Sequence, residues 1–341
     1  MSLKQCSNNM EATKKREYAF DILRAVSMIM VITIHVSNVY SRSFGVIGNG
    51  SFIVSLIFNT ISRISVPIFL MISGALLLDR EFNKRKYFKR LIKFIILIIV
   101  WDIIYLVWEY YYLGITYDKL YKLLFEPYRA HLWFLYTILL LYAIQPILRI
   151  IINKSNNTIK IILLVIWILF STLSIVNYYI SIYFTVFSYI GFFILGKYLY
   201  DYAKNNDLKK YNILFIFIMI ICFAISIVLN YTESIRRHTF YNFYFAYRVP
   251  FIMIPSFLFY IMVINNYTKD TLNKIIMKLS DLSFGVYLIH GIFLDVTVKL
   301  FIYQSINALI GIPMFTIIIF ICSIISVYIL KKIKLIKYLV T

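Results

Sequence analysis

Residues 21–40, from Asp21 to Tyr40, read DILRAVSMIMVITIHVSNVY. The stretch is apolar and long enough to enter a bilayer, which takes about 20 residues of helix, yet it carries Asp21, Arg24 and His35. Ionisable groups at membrane depth are costly and need a partner or a function. On a helix, the step from Arg24 to His35 ends about 20° from eclipsed and rises about 16 Å, so the two share one face about three turns apart. Asp21, three residues before Arg24, is within reach of an ion pair on that face. Taken alone, the pattern also fits a snorkelling arginine at the membrane entry and a histidine in a helix contact.

Outward from this stretch the chain keeps the same character. Of its 341 residues, 62% are hydrophobic and 15% charged, whereas the apolar share of a soluble domain is about half. An ordinary soluble domain is therefore excluded, and the composition reads as an all-α, polytopic integral membrane protein. Apolar runs of spanning length fall near 19–40, 51–78, 92–113, 132–152, 159–179, 182–202, 211–230, 243–265, 280–299 and 305–330, which predicts about ten transmembrane helices. The first 18 residues are polar and basic, with no apolar core before a small-residue cleavage site. No secretory signal peptide is expected, and the first span serves as the insertion signal. Cys6, Cys222 and Cys322 lie in the amino-terminal tail and in two separate spans, a spacing that suggests neither a metal site nor a disulfide.

A net charge of +20 raises the question of nucleic acid, and the placement of the charge answers it. With the amino terminus inside, the outer connections hold Arg42, Lys119, Lys122, Arg129, Arg236, Arg237 and Lys299, and the spans hold Arg24, Arg63 and Arg248. All other Lys and Arg fall in the inner connections, at the inner ends of the spans or in the two tails. This is the asymmetry of a chain with both termini in the cytoplasm, so the basic charge is mainly topological and no nucleic-acid partner is expected. No linker, low-complexity tract or convincing internal repeat divides the spans. The expected organisation is a basic cytoplasmic tail at 1–18, one membrane domain at 19–330 and a second cytoplasmic basic tail at 331–341, with no appended soluble domain.

That orientation sorts the ionisable residues into layers. Arg24 lies toward the cytoplasm and His35 in the outer third. Arg63 and Asp102 reach equal depth in antiparallel spans, which suggests a midplane ion pair, either a brace between helices or a functional element. Glu109, His131, Arg248 and Asp295 are outer, and His290 is nearer the middle of its span. His238, beside Arg236 and Arg237, reads as a solvated loop residue. Pro67 and Gly74 interrupt the second span and suggest a kink with close helix packing.

Further stretches complete the pattern: VPIFLMISG from Val66 to Gly74, the basic run from Lys86 to Lys93, HLWFLY from His131 to Tyr136 leading to Gln145 and Pro146, and SFGVYLIH from Ser283 to His290. Together with the Arg24 and His35 spacing, these motifs resemble, in order and over nearly the whole chain, acyltransferase family 3, the membrane O-acyltransferases of cell-envelope glycans. The resemblance implies a multi-pass protein of the bacterial plasma membrane whose single membrane domain takes an acyl group, commonly acetyl, from acetyl-coenzyme A on the cytoplasmic side. The acceptor is a hydroxyl of a cell-surface carbohydrate or glycolipid reached from the outer side. Some relatives carry an extracytoplasmic hydrolase-like domain, without which this chain works alone or with a partner. The family's basic pattern in the second inner connection is usually Arg-x-x-Arg; here it reads Arg90-Leu91-Ile92-Lys93, which keeps the charge and loses one fork.

On this reading Arg24, Arg63, Arg90 and Lys93, with the neighbouring Arg85, Lys86 and Lys89, are the candidates for holding the donor's phosphates, where a forked guanidinium grips best. An extended pantetheine arm spans about 15–20 Å, comparable to the rise from Arg24 to His35. His35 is the candidate general base for the acceptor hydroxyl, since imidazole titrates near neutrality. A covalent acyl-imidazole at His35 is the alternative. If a carboxylate orients His35, Glu109 is the first choice and Asp295 the second, both from depth. His131 is a third catalytic candidate, although an interfacial aromatic belt explains the neighbouring Trp133 and Tyr136 equally well. Tyr287 and His290, one turn apart, are candidates for lining the cavity. The competing reading is an exporter or flippase of a cell-surface polysaccharide, which would be expected to show two related halves with matched broken helices. A module that only recruits a partner enzyme is disfavoured by the presence of both Arg24 and His35.

Overall fold

The computed structural model describes residues 17–79, 81–114, 127–176, 178–267, 274–334 and 336–340. Most of the amino-terminal tail, together with Lys119 and Lys122, lies outside the described residues. All regular structure that is described is helical: α1 (Tyr18–Arg42), α2 (Asn49–Ser62), α3 (Ser65–Leu77), α4 (Lys84–Trp108), α5 (Trp133–Lys154), α6 (Asn157–Val176), α7 (Tyr178–Asn205), α8 (Asn212–Arg237), α9 (Pro250–Asn266), α10 (Lys274–Leu300) and α11 (Ala308–Leu330). A π-helical turn, Glu109–Leu113, extends α4, and a 3-10 turn, Ala130–Leu132, leads into α5.

Among the described residues eight helical segments are long and apolar enough to cross a membrane, α2 and α3 counting as one. The other two predicted spans fall on α6 and α7, and within α6 Thr158–Leu169 forms a shorter apolar helix. The sidedness of the chain rests on its distribution of Lys and Arg.

Helix α1 is the hub. It packs against α2, α3, α9, α10 and α11, and Leu23, Met28, Ile32 and Val36 are fully buried along it. Its first turns join a core built from α3, α5, α7 and α9 around Phe192, Phe193 and Tyr260. Its later turns join a second core of α4, α10 and α11 around Trp101, Tyr105 and Phe315. Helices α4 and α8 instead expose rows such as Ile92, Ile96, Ile99 and Ile103, or Ile213, Phe217 and Ile220. In water such rows would be a liability; against lipid tails they are the solvated surface.

The second span is broken, as Pro67 and Gly74 lead one to expect, but the break sits at Arg63 and Ile64 between α2 and α3. Pro67 then falls in the first turn of α3, where its missing N–H is tolerated. Gly74 serves close packing instead. A Cβ there would lie 1.6 Å from the Phe193 carbonyl oxygen, and one on Gly196 would lie 2.0 Å from that of Met71. These two glycines let the backbones of α3 and α7 meet directly, which is how helices associate where lipid offers no hydrophobic drive.

Candidate active site

Three of the four histidines converge. His35 comes from α1, His131 from the 3-10 turn before α5 and His290 from α10. Ring centroids are 5.0 Å apart for His35 and His290, 4.9 Å for His131 and His290, and 6.0 Å for His35 and His131. Local hydrogen bonds hold the set. The Tyr287 hydroxyl donates to the His131 carbonyl oxygen at 2.7 Å, and the Tyr105 hydroxyl donates to that of Leu288 at 2.8 Å. His290 Nδ1 lies 2.6 Å from the Tyr287 carbonyl oxygen. That carbonyl only accepts, so Nδ1 carries the proton and a neutral ring keeps Nε2 as an acceptor. The Nε2 atoms of His131 and His290 are buried, with no hydrogen-bond partner among the described residues. Gly291 completes the fit: a Cβ on it would stand 2.8 Å from both His131 Cε1 and the Tyr105 hydroxyl oxygen.

A second layer lies against the histidines. Arg129 bridges two carboxylates, donating from Nη1 to Glu109 at 2.6 Å and from Nη2 to Asp295 at 2.5 Å. Trp108 Nε1 donates to the other Asp295 oxygen at 3.1 Å. Burial works against the charge on Arg129, but the two carboxylates outweigh it and raise its proton affinity above the ordinary guanidinium value. Because Arg129 is two residues before His131 and Asp295 five after His290, this triad ties the turn carrying one imidazole to the helix carrying the other. Glu109 enters it from the π turn, a feature that often marks functional sites.

These partners correct two expectations. Neither Glu109 nor Asp295 orients His35; both carboxylates are taken by Arg129, their nearest cation. Nor do Arg63 and Asp102 pair. Asp102 accepts from the Tyr136 hydroxyl at 2.6 Å and the Tyr128 amide at 3.1 Å, fixing the approach to α5. Arg63 donates through Nε to the Asn59 side-chain oxygen at 2.8 Å and lies over the rings of Phe245 and Tyr247. The two residues, expected at one depth, each find other partners.

The histidines face a cavity of about 750 Å³ between the two cores, which half-buried His35 lines together with Arg24, Arg42, Arg63 and Arg129. A smaller recess of about 180 Å³ adjoins it, sharing Arg24, Phe69, Ser73 and Tyr142 and adding Arg90. At that end Arg24 Nη1 lies 3.6 Å from Asp21, the expected ion pair, and buried Asp21 also accepts from the Ser280 hydroxyl at 2.7 Å. Arg24 and Arg90 thus share one recess. Lys93, one turn beyond Arg90, is exposed and lines neither space, and Arg63 stands apart from them, at the level of Asn38. In the sequence alone Arg129 reads only as an outer charge, and Gly291 does not stand out. The one available signal for Gly291 is its place directly after His290, because a glycine there marks a close approach to the backbone.

A family model described as an acyltransferase domain matches residues 17–331. No curated protein and no solved structure matches the chain.

Proposed function

The chain belongs to the acyltransferase 3 family, and from that premise we propose that it is a membrane O-acyltransferase. It moves an acyl group, acetyl by preference, from acyl-coenzyme A at the Arg24 and Arg90 end to a hydroxyl of a cell-surface carbohydrate or glycolipid at the histidine end. The carrying observation is one cavity lined by Arg24 as well as by His35, His131 and His290, with an adjoining recess that Arg24 shares with Arg90.

In this mechanism the donor's phosphates rest on Arg24 and Arg90, whose planar forks suit phosphate oxygens. The pantetheine arm follows the face of α1, a rise of about 16 Å from Arg24 to His35. His35 takes the proton of the acceptor hydroxyl as its oxygen attacks the thioester carbonyl. The C–S bond breaks, and the thiolate leaves with the proton from the imidazolium. His131 and His290 hold the base in place and offer their open Nε2 atoms to the proton's path. The π turn and the Arg129 triad keep that geometry fixed.

The reading is tested with purified protein in nanodiscs and acetyl-coenzyme A carrying a radiolabelled acetyl group, wild type beside His35→Ala and Arg24→Ala. Label leaving the donor in wild type, lost in His35→Ala and requiring more donor in Arg24→Ala, is the expected result. A His35→Ala protein that transfers at the wild-type rate would remove the base from the mechanism.

A further inference from the structure

The histidine half of the cavity holds cationic charge for which acyl transfer to a neutral sugar has no use. Four guanidinium groups line the cavity. Arg24 faces Asp21, and Arg129 faces two carboxylates. Among the described residues Arg63 and Arg42 face none.

Arg63 is built as a fork. Its Nε is anchored on Asn59 Oδ1, and the Asn59 amide is itself fixed, donating to Asn38 Oδ1 at 2.8 Å and Ser37 Oγ at 3.1 Å. Phe245 and Tyr247 lie against the guanidinium, at 5.3 and 5.8 Å from the ring centroids. The two terminal nitrogens have no acceptor among the described residues, which leaves a rigid two-pronged donor on the cavity. Such a fork matches a carboxylate or phosphate and little else.

An aromatic wall stands beside it. Trp133 and Tyr247 both line the cavity, and the Trp133 ring stacks on Tyr247 at 5.9 Å and on Tyr189 at 5.1 Å. Stacking holds the indole in place at the cavity wall, where an aromatic side chain suits the C–H face of a sugar ring. The position is one turn past the base, since Asn38 follows His35 by three residues on α1. Arg63 and Arg42 also lie within electrostatic reach of His35.

We propose that the acceptor is an acidic sugar, with its oxyanion held by Arg63 and Arg42 and its ring against Trp133 and Tyr247. The oxyanion is a carboxylate or a phosphate on the ring that receives the acyl group, or next to it. This deepens the transferase reading and rests on it. Holding the charge one turn from His35 presents the ring's hydroxyls to the base and selects against neutral glycans.

The test is binding, so it does not depend on turnover. Methyl glucuronide, glucose 1-phosphate and neutral methyl glucoside are titrated against the protein in nanodiscs of zwitterionic lipid, with acetyl-coenzyme A titrated in parallel. At least one anionic sugar should bind about tenfold or more tightly than the neutral one, and Arg63→Gln should erase that advantage. Arg63→Lys should restore part of it, and acetyl-coenzyme A should bind all three proteins alike. Whether glucuronide or the phosphate ester leads assigns the oxyanion. Equal binding of anionic and neutral sugars, no binding of the anionic ones, or a preference that survives in Arg63→Gln overturns the inference. Should Arg63→Gln fail to fold, Arg42→Gln must weaken the preference, and an unchanged preference there overturns the inference as well. Failure of acetyl-coenzyme A to bind wild type would instead strike the donor reading, and the sugar titrations would still report on Arg63.

Discussion

The two ends of the cavity are built differently. At the Arg24 end the charges lie nearer the surface: Arg24 keeps 29% of its side-chain surface and sits 3.6 Å from Asp21, and Lys93 is exposed. At the histidine end three imidazoles lie within 6.0 Å of one another, and an arginine bridges two carboxylates at 2.5–2.6 Å. The first end suits a ligand whose phosphates slide in and out, where strength comes from charge. The second suits chemistry, where small displacements of a base are costly. Substitutions should therefore act on donor affinity at the first end and on turnover or folding at the second.

The largest effect is expected at His35. His35→Ala should lower the transfer rate by about 10²–10⁴-fold, the usual share of a general base. The side chain faces the cavity, so the melting temperature in detergent should hardly move. Next is Arg129→Met, which strands Glu109 and Asp295 as neighbouring buried carboxylates. Breaking a buried pair this way costs about 3–5 kcal/mol, and the remaining exposure of 12–22% on the three side chains favours the lower figure. A fall in melting temperature with loss of transfer reports it, and a stable, active variant would refute the triad's bracing role.

Gly291→Ala is a finer probe of the same end. Its Cβ would press on His131 and Tyr105, an overpacking worth about 1–3 kcal/mol, and it should lower kcat while the KM for donor stays put. Arg24→Gln should do the opposite, raising the donor KM about tenfold for one lost charge-assisted contact with kcat little changed. The smallest effect is predicted for Lys93→Gln, less than about twofold in donor KM, because Lys93 lines neither the cavity nor the recess. A Lys93→Gln effect as large as that of Arg24→Gln would erase the distinction between recess and surface.

The helices are legible in the sequence because a bilayer demands long apolar runs, and Asp21 with Arg24 is legible because spacing on one helix fixes which side chains meet. The asymmetry of Lys and Arg predicts depth as well, and on that reading His35, His131 and Glu109 fall toward one side. Depth does not say where around the bundle a residue points. Arg63 and Asp102, expected at one depth, find other partners, Asn59 for one and Tyr136 for the other. Glu109 falls to His35 on depth alone because Arg129 reads as a topological charge, and only the fold brings that guanidinium onto two carboxylates from α4's extension and α10. The three-histidine cluster is of the same kind. Its members are separated by 96 and 159 residues in the chain, and no local pattern records their meeting.

The central claim is that donor and acceptor meet through one cavity from opposite ends. Proteoliposomes with the protein in one orientation, acetyl-labelled acetyl-coenzyme A supplied at the Arg24 face and an acidic glycan at the histidine face, test it most directly. Label should appear on the glycan across the bilayer and require both Arg24 and His35. Label that appears only when donor and acceptor share a face, or that forms equally in His35→Ala, would contradict it.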